Sequence, residues 1–395
     1  MDYAATTPLS EAAFLAMKPY FSEAFGNADS LHGFGGKAAL ALDTARREIA
    51  GLLNANREEI FFTSGGTEAN NWAIKGAAYA HKAKNAGVTP HIIVSTIEHS
   101  SVLQAAEQLK HEGFYVTELP VDKLGFIDIA KLNAAITNGT CLISIMMANN
   151  EIGTVQPIKT IVAIAKKYGI PFHTDAVQAA GAYPLDVQEL GVDLMTVSAH
   201  KFYGPKGIGV LYIRKSLKPQ PYPLIVGGQQ ERTYRGGTSN IPGVVGMASA
   251  FKEASADLEK NNRQIKELRD EFVRRIESEI EGVRYNGDRE SRLPQNANFS
   301  FYGIKAGELI HRLDLNGVAA ASGSACSSGS VEASHVLTAL GVTAEEAESA
   351  VRFSFGKFTT REDTDFAVAQ IKKAVVGLRK DVLLFAHKKS KTDRV

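Results

Sequence analysis

The chain has 395 residues, 44% apolar and 22% charged, proportions of a soluble globular protein that argue against disorder and against a fibrous or repeat architecture. Forty-four basic and 43 acidic side chains leave a net charge of +1, too weak a field to call for nucleic acid or a membrane surface, so small molecules or proteins are the expected partners. Two cysteines, Cys141 and Cys326, exclude a disulfide framework and leave no metal site expected, and the N-terminal residues lack a basic region followed by an apolar run, so a reducing, cytoplasmic setting is expected.

The length predicts a large domain plus a smaller one, which together can enclose a cleft. From about residue 59, short β-branched runs alternate with helix-period segments, the pattern of βαβ units in a mostly parallel sheet. The first run, Ile60-Phe61-Phe62-Thr63, leads into Ser64-Gly65-Gly66-Thr67-Glu68-Ala69-Asn70, where two glycines and hydroxyl residues open a helix. Free N–H groups there favour a phosphate, although Ser/Thr-Gly turns are also common as plain N-caps.

The run Ile92-Ile93-Val94-Ser95 is followed by Thr96-Ile97-Glu98-His99, which puts His99 on the ligand rim of the sheet, where an imidazole can stack on an aromatic cofactor and exchange protons. Further strands are expected at Tyr115-Val116-Thr117 and Leu142-Ile143-Ser144-Ile145; Cys141 reads as a small buried hydrophobe. After Ile170-Pro171-Phe172-His173 comes Asp175, placed to pair with a protonated pyridine nitrogen; the competing reading is a helix cap. The run Leu194-Met195-Thr196-Val197 precedes Ser198-Ala199-His200-Lys201 and the turn Gly204-Pro205-Lys206-Gly207. A lysine is usually a solvated surface group, but beside a phosphate cradle on the same rim its amine can hold a cofactor as a Schiff base.

The last strand of this series is Gly209-Val210-Leu211-Tyr212-Ile213, and after Pro242 a long helical stretch to about Ile280 reads as a connector. A strand near Asn298-Phe299-Ser300-Phe301, a helix from about Glu308, a strand at Val351-Arg352-Phe353-Ser354-Phe355 and a helix from about Arg361 then suggest an α+β domain ending in a solvated basic tail. Between them, every residue from Ala319 to Ser330 except Cys326 is Ala, Ser or Gly. Such a segment has little apolar area to bury and is expected to carry its thiol toward and away from a cleft.

Taken in order, these motifs resemble the cysteine desulfurases, the NifS and IscS proteins of the class V aminotransferase-like pyridoxal-phosphate (PLP) enzymes. The matches also include Asp2-Tyr3-Ala4-Ala5-Thr6-Thr7-Pro8, Phe25-Gly26-Asn27, Asn149-Asn150-Glu151-Ile152-Gly153, Asp175-Ala176-Val177-Gln178, Arg235-Gly236-Gly237-Thr238 and Val351-Arg352-Phe353-Ser354. The resemblance implies an α/β PLP-dependent transferase fold, with a large domain over 12–257 and a small α+β domain from 1–11 and 258–395. It implies that Lys201 carries PLP, Asp175 pairs with its ring nitrogen, Gln178 and Asn150 contact its hydroxyl side and His99 stacks on the ring. Gly66, Thr67, Ser198 and His200 would hold the phosphate, as would Thr238 from a neighbouring subunit in a homodimer. Arg352, assisted by Asn27 and Asn150, would clamp the carboxylate of L-cysteine.

The resemblance further implies that Cys326 receives the sulfur as a persulfide, with His99 as proton donor or acceptor. The loop Ser322-Gly323-Ser324-Ala325-Cys326-Ser327-Ser328 is similar to the longer loop of the first desulfurase group, which favours relay to acceptor proteins for iron–sulfur clusters, thio-cofactors or tRNA thiolation. Relatives have an apolar strand residue or two before the Asp-Tyr-Ala-Ala-Thr-Thr motif, whereas Met1 abuts it here, which puts the first strand in doubt. A selenocysteine lyase or ordinary aminotransferase, and a non-catalytic sulfur-transfer scaffold, are the alternatives. The aminotransferase leaves Cys326 without a job, and the scaffold leaves Lys201, Asp175 and Arg352 unexplained.

Overall fold

A computed structural model describes residues 1–85, 87–323 and 333–392, with side chains described to residue 381. Cys326 lies outside the described residues.

Seven strands form the central sheet: β1 (Ile60–Thr63), β2 (His91–Ser95), β3 (Tyr115–Leu119), β4 (Thr140–Ser144), β5 (Phe172–Asp175), β6 (Leu194–Ser198) and β7 (Gly209–Ile213). Their order is β1-β7-β6-β5-β4-β2-β3. Every residue of β2, β4, β6 and β7 is buried, because helices cover both faces, and this is why these strands read as near-continuous apolar runs. The sheet is parallel except at β7, which runs antiparallel to both β1 and β6. The short connection between β6 and β7 carries Lys201 and leaves no room for the crossover of a dozen or more residues that a parallel pair needs.

The expected strand at residues 170–173 is displaced to Phe172–Asp175. Gly169, at φ +66°, and Ile170, whose N–H bonds to Ala165 O, still belong to the end of the helix Ile158–Lys167, and Pro171 has no N–H to give a ladder. Asp175 is therefore the last residue of β5 and not a residue beyond it. The expected long connector helix is two helices, Ile241–Ala256 and Leu258–Glu279, divided at Asp257. The first packs Val244, Met247, Phe251 and Ala254 into the core under the large sheet, whereas the second packs Leu268, Phe272 and Ile276 into a separate core.

That second core lies on a four-stranded antiparallel sheet of β8 (Val283–Tyr285), β9 (Asn296–Phe301), β10 (Ala321–Ser322) and β11 (Ala350–Ser354), in the order β10-β11-β9-β8. The helix Arg361–Thr392 covers it with Val368, Ile371 and Val375. The doubtful first strand is reduced to one parallel bridge, Asp2 to Ser354. The N-terminal segment then crosses to the large sheet, where Thr7 N–H bonds to His200 O. No described helix is long and apolar enough to cross a membrane.

Candidate active site

The carboxyl ends of β1, β2, β5 and β6 and the N-terminal segment surround a cavity of about 350 Å³, within the range of small-ligand and cofactor sites. At one end the helix Gly66–Lys84 begins without any side-chain cap, so its first N–H groups are left for an anion. Gly65 has φ +153° and ψ −175°, a conformation open essentially to glycine alone. A Cβ on Gly209 would come within 2.8 Å of Gly65 Cα, so two glycines let β7 pack against this turn. Glu68 secures the turn from behind by accepting from Ser64 N–H at 2.8 Å and from Arg235 Nε at 2.9 Å.

Gly66, Thr67, Ser198, His200 and Lys201 line this end of the cavity. His200 is pushed down to about 4 by burial and by the charges of Lys201 and Lys206, so it faces the anion cradle as a neutral ring. Lys201 ends the single turn Ala199–Lys201 directly after β6, and its Nζ donates to Ala4 O at 2.6 Å and Ala5 O at 2.8 Å. Gln178 Nε2 also donates to Ala4 O, at 3.1 Å.

Asp175 is buried, and each of its oxygens holds a donor: Val177 N–H on Oδ1 at 2.9 Å and Asn70 Nδ2 on Oδ2 at 2.7 Å. His99 caps the helix Ser100–His111, its Nδ1 accepting from Ser101 N–H at 3.1 Å. Burial holds its pKa below the usual histidine range, a shift that Asp175 opposes and that Lys201 and His335 reinforce.

Opposite the cradle, Arg352 of β11 reaches in from the second sheet, donating from Nη1 to Asn150 O at 2.9 Å and from Nη2 to Asp2 Oδ1 at 3.0 Å. Its Nε is buried with no hydrogen-bond partner among the described residues. Asn150, Ala321, Ser322 and Gly323 complete this side, so the described chain leading toward Cys326 starts at the cavity wall.

Lys201, His99, Gly66, Thr67, Asn150, Asp175, Gln178, Ser198, His200 and Arg352 thus share one cavity. Two expected residues do not enter it. Thr238 lines a separate cleft with Arg235 and Ser239, and Asn27 is exposed and accepts from Asp29 N–H at 3.0 Å. Among the described residues no cluster of His, Cys, Asp or Glu could hold a metal ion.

Three cavity residues carried no assigned role in the sequence, Asn70, Ser101 and Asp2, and neither did Glu151, which lies behind the wall at Gly323. Burial raises Glu151 to about 7, against the hydrogen bond from Ser334 Oγ and the charge of Arg352. A Cβ on Gly323 would lie 2.0 Å from Glu151 Oε2, so glycine is the residue that fits there. Asn70 and Ser101 sit inside helices among ordinary polar residues; only the three-dimensional contact with Asp175 and His99 marks them.

An uncapped helix start, a lysine amine, a buried carboxylate and a neutral imidazole around one cavity form the donor set that PLP requires, so the residues fit the cofactor. The Aminotransferase class-V family model matches residues 1–366. A cysteine desulfurase IscS of Dictyoglomus turgidum is 49% identical over 379 residues, covering 96% of this chain and 95% of that protein. The cysteine desulfurase IscS of Methanosarcina thermophila is 47% identical, with 96% and 92% covered. Among solved structures, a NifS-like protein superposes with a TM-score of 0.89 at 36% identity, covering 95% of this chain and 99% of that one. A structure of SspA in complex with cysteine gives a TM-score of 0.79 at 37% identity, with 91% and 99% covered. The chain belongs to the class-V aminotransferase family and, within it, stands among the cysteine desulfurases.

Proposed function

We propose that this protein is a PLP-dependent cysteine desulfurase that converts L-cysteine to L-alanine and carries the sulfur as a persulfide on Cys326 to acceptor proteins. The observation that carries this reading is the meeting of Lys201, Asp175, His99 and Arg352 in one cavity whose wall leads into the segment bearing Cys326. Gly66, Thr67, Ser198 and His200 would hold the phosphate, Asp175 the ring nitrogen, Gln178 and Asn150 the hydroxyl side and His99 the ring face. When bound, the cofactor supplies an electron-withdrawing ring that makes the substrate Cα proton removable.

Arg352 orients the substrate carboxylate, with Asn150 assisting, and its planar fork suits that two-pronged contact. Lys201 moves the Cα proton as general base. Cys326 attacks as thiolate; a bond forms between its Sγ and the substrate sulfur while the substrate Cβ–Sγ bond breaks, and the electron pair goes to the carbon side, which is protonated to yield alanine. The persulfide then serves iron–sulfur assembly, thio-cofactor synthesis or tRNA thiolation, in a cytoplasmic setting.

A homodimer is part of this reading. Phe14, Leu15, Phe21, Phe25, Leu31 and Phe34 are all exposed within a short N-terminal stretch, an apolar surface of the kind that marks an interface. Asn27 lies in the same stretch and, like Thr238, stays outside the cavity of its own chain, which supports a second copy as the occupant. The two-domain division at 12–257 and 1–11 with 258–395 is supported by the break at Asp257 and by the two separate apolar cores.

The deciding experiment supplies sulfur-labelled cysteine with a reductant, follows alanine and sulfide, and then follows label from the enzyme to candidate acceptors. Alanine without label on the protein would overturn the persulfide relay. Sedimentation at low concentration should give twice the mass of the chain, and Phe21→Asp should return it to one.

A further inference from the structure

Behind His99 runs a series of hydrogen bonds to which the Ser101 backbone N–H gives a direction. The Ser101 backbone N–H donates to His99 Nδ1 at 3.1 Å, and an N–H cannot accept, so this nitrogen carries a lone pair. The Ser101 hydroxyl lies 2.8 Å from the same nitrogen, so its hydrogen points there as well. Ser101 Oγ then accepts from Asn70 Nδ2 at 2.9 Å, and the same Nδ2 donates to Asp175 Oδ2 at 2.7 Å. The carboxylate fixes which end of the Asn70 amide is nitrogen, and Asn70 Oδ1 is left buried without a partner among the described residues. An apolar side chain would avoid that unpaired acceptor, so the amide is held here by what its nitrogen does.

We propose that Asn70 and Ser101 are positioning residues that lock His99 as the neutral imidazole with its proton on Nε2. His99 then presents its Nε2 proton to the cavity as a fixed hydrogen-bond donor, because a second proton at Nδ1 would confront the Ser101 N–H, which cannot accept. Burial of the ring points the same way. Asp175 favours the cation, Lys201 and His335 disfavour it, and burial prevails. One network thereby joins the partner of the ring nitrogen to the ring that stacks on the cofactor, so Asp175 and His99 are oriented by a shared amide. What His99 Nε2 meets in the cavity rests on the desulfurase reading; the tautomer does not.

The test is a long-range proton–nitrogen correlation spectrum of the holoenzyme with isotope-labelled histidine, recorded from about pH 5 to 8, the interval in which an ordinary histidine titrates. The His99 signal is assigned by its loss in His99→Gln. The expected result is the Nε2-protonated neutral pattern through most of that interval. Ser101→Ala keeps the N–H donor but removes the hydroxyl, and should move the His99 titration up toward the ordinary range. Asn70→Leu leaves the Ser101 hydroxyl free to turn away, and should move it in the same direction. A proton on Nδ1 in the wild type, or a titration that Ser101→Ala leaves in place, would overturn the proposal. Cofactor absorbance is read on the same samples. If the wild type binds none, the functional reading fails, while the tautomer is still decided on the apoprotein.

Discussion

Arg352 Nη2 sits 3.0 Å from Asp2 Oδ1, so the guanidinium proposed to receive the substrate carboxylate already faces a carboxylate of its own chain. Its Nη1 is held by Asn150 O, and its buried Nε has no partner among the described residues. Replacing the planar fork by a point charge in Arg352→Lys loses geometry that charge alone cannot restore. KM for cysteine should rise by about ten- to a hundredfold, the range of one charge-assisted hydrogen bond, with a smaller change in kcat. In Asp2→Asn the internal competitor is neutral, and KM should fall; steady-state alanine release measures both.

Lys201 and Cys326 should separate cleanly. Lys201→Ala should lose the absorbance of bound cofactor together with alanine release. Cys326→Ala should keep the absorbance and lose alanine release, since only the attack on sulfur is removed. Full alanine release by the Cys326 variant would sink the persulfide route.

The buried acid Glu98 sets a pH dependence of stability. Burial raises it to about 8, with the charge of Asp175 adding and hydrogen bonds from Ser95 and Met146 N–H opposing; its Oε2 has no partner among the described residues and is the natural seat of the proton. The folded state therefore holds a proton that the unfolded chain gives up above its ordinary value of 4.5. Stability is fully present below that value and falls as pH rises through about 8, by at most roughly 1.4 kcal/mol for each pH unit between the two. Glu98→Gln should flatten this fall, seen as a smaller difference in urea midpoint between the acidic and alkaline ends of the window.

Glu231 anchors the segment that leads to Thr238. It pairs with Arg46 through both oxygens, at 2.6 and 2.7 Å, and also accepts from Phe62 N–H. Glu231, Arg232 and Thr233 all have positive φ, at 45°, 58° and 72°, a conformation that non-glycine residues hold only under constraint. Glu231→Ala leaves the buried Arg46 without its carboxylate, with only Ile60 O and the Phe62 ring to meet it, and should cost about 3–5 kcal/mol in denaturant unfolding. Arg46→Met combined with it should recover part of that loss.

The fold was legible where burial made the strands continuous apolar runs. β1 and β7 fall on their expected residues, and Asp175 and Lys201 were found because strand ends in such sheets form ligand rims. Short elements escaped: β8 and the two-residue β10 are too brief to show a period, and Pro171 concealed that β5 starts two residues later than expected. The antiparallel setting of β7 was within reach of the sequence, since the short link from β6 is too brief for a parallel crossover. Glu98 and Glu151 lay inside recognised motifs, yet their burial and the proton each can hold depend on the surrounding core. Asn70 touches Asp175 across 105 positions and Asp2 touches Arg352 across 350, so neither contact has a local signature.

The first residues of the chain splint the two halves of the site. Ala4 and Ala5 offer their carbonyls to Lys201, Ala4 N–H bonds to Ser354 Oγ at 2.8 Å and Asp2 pairs with Arg352. A rotation of the smaller sheet against the larger one would therefore draw on the backbone that steadies the lysine, and a carboxylate that displaced Asp2 from Arg352 would loosen the same strip. The arginine and the lysine amine, some 150 positions apart in sequence, thus rest on one short strip of backbone.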